Sequence, residues 1–212
     1  MLDTSKIYTS NNCGDFKVIE YNGCMSVLVE FINTGYVTTT RTDHIINGNV
    51  KDYLQPSVCG IGYIGVGDYK AKVNGKIGKA YNTWSSMLER CYCIKCQTKH
   101  PTYKGCTVTT EWHNFQVFAA WFDVNYIKGY RLDKDIKMKG NKVYSPEVCM
   151  FVSQAENTIE AHAKCYKFTS PSGKIIDIYN MSAFCRENNL NHRNMHLVNS
   201  EKRKSHKGWA KA

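Results

Sequence analysis

Nothing in the 212 residues approaches the ~20 consecutive apolar positions that a membrane-spanning helix needs, so no membrane role is expected. The opening stretch MLDTSKIYTSNNCGDF lacks the basic-then-apolar layout of an export signal, and secretion is not expected. Without export, the 10 Cys are not expected to form disulfides, because cytosolic thiols stay reduced. They read instead as buried small side chains or metal ligands. Acidic residues are in short supply: 28 Lys and Arg stand against 18 Asp and Glu, for a net charge of +10. The shortage is uneven, with net −2 over residues 1–70, +5 over 71–163 and +7 over 164–212. Such a gradient fits a polyanion lying along the C-terminal two thirds better than it fits general solubility.

What is present belongs to a folded chain: hydrophobic residues make up 42%, and 14 Tyr argue against disorder. Residues 13–70 are strand-like. Phe16, Val18 and Ile19 precede a turn at Asn22-Gly23, and Val27, Val29 and Phe31 alternate with Leu28, Glu30 and Ile32. The run GIGYIGVG (60–67) lacks the spacing and following helix of a nucleotide-binding loop, so a turn or linker at a domain edge is expected. Over 80–95 the period changes: Tyr81, Trp84, Met87, Leu88 and Cys91 fall on one helix face. A second helix over 111–123 would carry Trp112, Phe115, Phe118, Ala119 and Phe122 on its apolar side, as core rather than as a base-stacking platform.

Residues 132–157, LDKDIKMKGNKVYSPEVCMFVSQAEN, predict a strand at 132–136, a basic turn centred on Gly140 and Asn141, a strand at 148–152, and a helix from 154 capped by Ser153. This is the outline of the ββα-metal nuclease motif, in which a hairpin and a helix converge on one divalent ion at a scissile phosphate. Asp133 and Asp135 would alternate onto one strand face with Lys134 turned away, and Asn157 would face them from the helix. Oxygen donors suit Mg²⁺ or Mn²⁺. Surface ion pairs with the neighbouring lysines are the competing explanation of the two aspartates. No His lies between Asp133 and Asn157, so the usual general base is missing; His100 and His113 are the nearest upstream, and Asp135 is the other candidate.

The tail, from 171 to 209, reads as a strand pair turning at Ser172-Gly173, two short helices around 188–191, and a basic end closed by Trp209. Asn180 or Ser182 can cap a helix that buries Met181, Phe184 and Cys185, and Asn191 a helix that buries Met195 and Val198. The exposed face of the second helix would present His192, Arg193, Asn194 and His196 to base edges, while Lys202, Arg203, Lys204 and Lys207 meet phosphates.

Three linked runs carry a resemblance. YNTWSSMLERCY (81–92), PTYKGCTVTTEW (101–112) and LDKDI…GNKVYSPEVC (132–149) resemble a phage-borne family of HNH-like, homing-type endonucleases. The stretch FTSPSGK…NMSAFCRENNLN…KGW (168–209) is similar to the nuclease-associated modular DNA-binding repeat found at the ends of such enzymes. The resemblance implies a metal-dependent endonuclease of double-stranded DNA, encoded by a phage and working in the bacterial cytoplasm. Asp133 or Asp135 would be the first-strand metal ligand and Asn157 the helix ligand. Structural Zn²⁺ is a further expectation, with Cys93 and Cys96 at ligand spacing and Cys106 and Cys149 to complete four, although no second close pair exists. The expected architecture is α+β: a β-rich domain at 1–70, an HNH-like domain at 71–163, and a small helix-turn-helix-like module at 164–212. The first domain offers no site, and both extra DNA contacts and homodimerisation are open for it. A non-cleaving DNA-binding regulator and a factor binding a host protein are the alternative functions.

Overall fold

The computed structural model describes residues 2–162 and 164–212 of a mixed α+β chain. Four strands open it: β1 (Ile7–Ser10), β2 (Gly14–Tyr21), β3 (Val27–Phe31) and β4 (Val37–Thr40), an antiparallel meander in sequence order. Along β3 the odd positions Val27, Val29 and Phe31 are buried, as the alternation requires, and they pack with Phe16, Val18, Val50 and Ile45 of α1 (Thr42–Ile46). Ile19 faces outward by alternation after Val18, at 48% exposure, and a register shift between Val18 and Glu20 keeps Glu20 exposed where alternation would bury it.

The central unit is built on helix pairing. After the short hairpin β5 (Lys72–Val73) and β6 (Lys76–Ile77) comes α2 (Lys79–Tyr92), then α3 (Ile94–Lys99), β7 (Thr107–Val108) and α4 (Phe115–Asn125). Trp84, Met87, Leu88 and Cys91 of α2 are buried against Trp112, Phe115, Phe118, Ala119 and Phe122. Trp84 Nε1 donates to the Trp112 carbonyl at 2.7 Å, so the large ring enters the core without an orphaned donor. The expected second helix starts later than 111: Thr110–His113 forms a 3₁₀ turn, and Asn114 caps α4 by accepting from the Gln116 amide.

The glycine run opens with the expected tight turn, Gly62 bridging back to Val58, and the chain around it packs on the central unit. Val58, Ile64 and Tyr69 pack on the central core, and Gln116 Nε2 donates to the Ile64 and Tyr69 carbonyls at 3.1 and 3.0 Å. The hydrophobic contacts therefore pass from the first cluster to the second between Val50 and Val58. Gly62 lies so close to α2 that a Cβ there would meet Leu88 and the Trp84 ring. Glycine is needed for backbone approach to the helix.

Strand β8 (Arg131–Asp133) pairs antiparallel with β10 (Met150–Val152), and β9 (Val143–Tyr144), inside their connection, runs parallel to β7. Helix α5 (Gln154–His162) follows. Its start is a capping box: the Glu156 amide donates to Ser153 Oγ at 3.2 Å and the Ser153 amide to Glu156 Oε2 at 2.8 Å.

The tail forms a third core. Strands β11 (Tyr166–Thr169) and β12 (Ile175–Ile178), helices α6 (Met181–Glu187) and α7 (His192–Asn199), and strands β13 (Ser205–His206) and β14 (Trp209–Lys211) enclose Phe168, Ile178, Met181, Cys185, Met195 and Val198. The two expected helices are capped by Asn180 and Asn191. The basic end is not an extension of a helix-turn-helix but the edge hairpin of a sheet in the order β12-β11-β14-β13. Lys207 (φ +49°) and Gly208 (φ +81°) make the two-residue turn between His206 and Trp209, as a type I′ hairpin needs.

Candidate active site and nucleic-acid interface

The hairpin and α5 bound a cleft of about 400 Å³ that brings Asp133, Asp135 and Asn157 together. Its other walls include Arg90 from α2, Arg131, Lys134 and Tyr144. Four cationic side chains (Lys79, Arg90, Arg131 and Lys134) thus surround two carboxylates, a balance suited to an anionic ligand. Arg90 is held in place by aromatic faces: its guanidinium lies 5.6 Å from both the Tyr103 and Tyr144 ring centroids, and Nε donates to Tyr144 Oη at 3.3 Å. Burial pushes the Tyr144 phenol upward despite the opposing Arg90 charge, so it stays protonated at neutral pH.

The two aspartates have different surroundings. Asp133 Oδ1 accepts from the amides of Asp135 and Ile136 at 2.7 and 2.9 Å, which ends the strand and leaves Oδ2 without a partner among the described residues. Because β8 stops at Asp133, strict alternation does not continue to Asp135, and Lys134 is not turned away. Lys134 is 7% exposed, lines the cleft, pairs with Asp135 Oδ1, and donates to the Asn141 carbonyl at 2.7 Å. The Asn157 side chain, half-buried, has no hydrogen-bond partner among the described residues.

Two other lysines of the connecting loop work on backbone. Lys137 Nζ donates to the Glu147 and Cys149 carbonyls at 3.1 and 3.2 Å, and Lys142 Nζ to Thr102 at 2.9 Å. They close the loop onto the core, so that of the aspartate–lysine ion pairs considered from sequence the one formed among the described residues is Lys134–Asp135.

Neither upstream histidine reaches the cleft. His100 is exposed beside Tyr103, and His113 packs edge-on to Tyr92 with Nε2 buried and unpaired among the described residues. No His lines the cleft among the described residues.

The zinc expectation fails on geometry. No group of three or more His, Cys, Asp or Glu able to hold a metal occurs among the described residues. Cys106 and Cys149 are buried in the central core, whereas Cys93 and Cys96 are half-exposed at the α2–α3 junction. Burial pushes the Cys149 thiol up to about 12, and Cys91 likewise, so neither offers thiolate at neutral pH. The same absence among the described residues covers Asp and Glu, so a hard cation would find few protein ligands here. Asp133 Oδ2 and Asn157 offer oxygen donors, and Mg²⁺ is commonly held by one or two carboxylates with water and phosphate oxygens completing the shell.

On α7, His192, Arg193 and His196 are exposed and Asn194 is half-buried. Beyond the helix, Lys202, Arg203, Lys204 and Lys207 are all exposed. Two of them also brace the backbone: Arg203 Nε donates to the Ser205 carbonyl at 2.9 Å and Lys207 Nζ to the Asn189 carbonyl at 2.8 Å. Sequence reasoning missed His206, which is buried and accepts from the Asn191 amide at 3.1 Å, fixing the loop before α7. The only sequence signal for it was its place before a Lys-Gly turn. No helix is long and apolar enough to cross a membrane among the described residues.

No protein-family model and no curated protein matches the chain. Among solved structures, the HNH homing endonuclease I-HmuI, described as binding and cleaving DNA, is similar at 19% identity over 45% of this chain, with a TM-score of 0.23. The match spans 64% of that endonuclease chain, less than two thirds of its length.

Proposed function

We propose that the protein is an endonuclease of double-stranded DNA whose scissile phosphate enters the cleft between the β8–β10 hairpin and α5. The observation that carries this reading is the convergence of Asp133 and Asn157, both with free oxygen donors, inside a wall of cations. Arg90 and Arg131 would hold the phosphate oxygens, and the aromatic packing of Arg90 orients its guanidinium beforehand. Asp133 Oδ2 and Asn157 would hold Mg²⁺ or Mn²⁺, which when bound neutralises charge developing on the phosphate. Asp135 is the remaining proton acceptor: Lys134 occupies Oδ1 and fixes the carboxylate, leaving Oδ2 to take a proton from water. The exposed cations of the C-terminal module would hold the flanking duplex. A phage origin, a bacterial cytoplasm as the setting, and homodimerisation through the N-terminal unit belong to this proposal as well.

Supercoiled plasmid incubated with Mg²⁺ or Mn²⁺ is expected to be nicked or linearised, with loss of cutting in Asp133→Ala and Asn157→Ala. One observation favours a second reading: with no His lining the cleft among the described residues and Lys134 neutralising Asp135, the same parts could bind DNA without cutting it. Plasmid left intact across both metals and several sequences, with gel-shift binding retained, would select that regulator instead.

A further inference from the structure

A second concavity, of about 380 Å³, opens beside α5 on the C-terminal module. Its walls bring together Lys164, Tyr166, Ser182, Arg186, His192 and His196 from three separate segments. No Asp or Glu lines it among the described residues, and neither Lys164 nor Arg186 makes an ion pair or hydrogen bond there. Cations without counter-charge among the described residues, next to hydroxyl and imidazole donors, are a recognition set for an oxyanion.

The two histidines are fixed in this wall. One helical turn apart, their rings meet edge-on at 4.6 Å, His192 Nε2 lies 3.1 Å from Ser182 Oγ, and His196 stands edge-on to Tyr166 at 5.9 Å. Along α7 Arg193 stands about 100° from His192 and about 60° from His196, and it is not a wall residue of the pocket. His192 and His196, both expected from sequence on the exposed face of α7, are wall residues of this pocket.

The pocket is also next to the cleft. Thr158 lines the pocket and Asn157 lines the cleft, and the two are consecutive in α5 with Cα atoms about 3.8 Å apart. From the loop before β9, Lys139 reaches over the ring of Tyr179, another wall residue, at 5.2 Å. A duplex lying with one phosphate in the cleft would carry neighbouring phosphates past this opening. We infer that the pocket is a phosphate clamp: Arg186 and Lys164, with Ser182 and the histidine pair, hold a backbone phosphodiester of the same duplex. The ligand and its location rest on the DNA-cleavage reading.

The test uses the full chain, a short duplex cut from a plasmid, and a scrambled duplex of equal length. Affinity is measured by fluorescence anisotropy between about 50 and about 200 mM salt. Arg186→Gln and Lys164→Gln are each expected to lower the slope of log affinity against log salt by about 0.9 and to weaken both duplexes equally. Arg186→Lys should recover most of the slope, and His196→Gln should weaken both duplexes alike. Unchanged slopes, loss confined to one duplex, or no DNA binding by the parent chain would each overturn the clamp. Plasmid cutting is scored on the same preparations. Slopes that fall although the parent never cuts would leave the clamp standing and remove the nuclease, whereas cutting with unchanged slopes would remove the clamp alone.

Discussion

Lys134→Met probes the charge arrangement of the cleft more directly than loss of any single carboxylate. Methionine keeps most of the apolar stem that packs at this 7% exposed position but deletes the ammonium. Three contacts go with it: the pair with Asp135, the bond to the Asn141 carbonyl at 2.7 Å, and the approach to the Tyr144 ring at 5.9 Å. Removing one partner of a fully buried pair costs about 3–5 kcal/mol. The Asp135 side chain keeps 39% exposure, so water recovers part of its solvation and the estimate falls to about 2–3 kcal/mol. For a chain of this length that is a fall of roughly 5–10 °C in melting temperature. Tryptophan fluorescence is a suitable probe, because Trp84, Trp112 and Trp121 all belong to the central unit. The double variant with Asp135→Asn should show coupling of about 1 kcal/mol or more. A single-variant loss below about 0.5 kcal/mol, with additivity in the double variant, would mean that the pair is a loose surface contact. The account of Lys134 as the organiser of Asp135 would then be wrong.

Other expectations follow from the same contacts. Asp133→Asn retains an oxygen for the Asp135 and Ile136 amides, so stability should stay within about 0.5 kcal/mol while plasmid cutting falls more than about a hundredfold; cutting at the parent rate would remove Asp133 from the site. Gly62→Ala should destabilise the central unit by about 1–3 kcal/mol in urea unfolding, because its new methyl meets Leu88 and Trp84; a neutral result would show that α2 gives way easily. Hydrogen bonds from the Ser153 amide, then from its side chain, hold the Glu156 carboxyl below its ordinary value of 4.5. A lowered folded-state pKa gives stability that is present above the ordinary value and lost as pH falls through the lowered one. Amide protection in α5 should therefore decline below about pH 4.5 and do so less in Glu156→Gln, as measured by NMR exchange; the same decline in both would exclude the cap as its cause.

Periodicity made much of the fold legible. Trp84, Met87, Leu88 and Cys91 announced a helix face, Val27, Val29 and Phe31 a half-buried strand, and Asn180 and Asn191 two helix starts. These signals are local: side-chain direction repeats with the backbone, and a cap lies within three residues of the amide it satisfies. Non-local approach was not legible. Gly62 looked like linker chain because the neighbours that make glycine necessary, Trp84 and Leu88, lie more than 20 residues away.

The site divides along the same line. Sequence determined the donor types, Asp133, Asp135 and Asn157, and the excess of positive charge towards the C-terminus. Tertiary structure decided that the three share one cleft, that Lys134 lies inside it, and that Cys106 and Cys149 are core side chains. It also decided which cations are occupied with carbonyls and which line an open pocket. The physical reason is that charge and donor chemistry belong to a residue, whereas pairing, burial and vacancy depend on what the folded chain brings within a few ångströms of it.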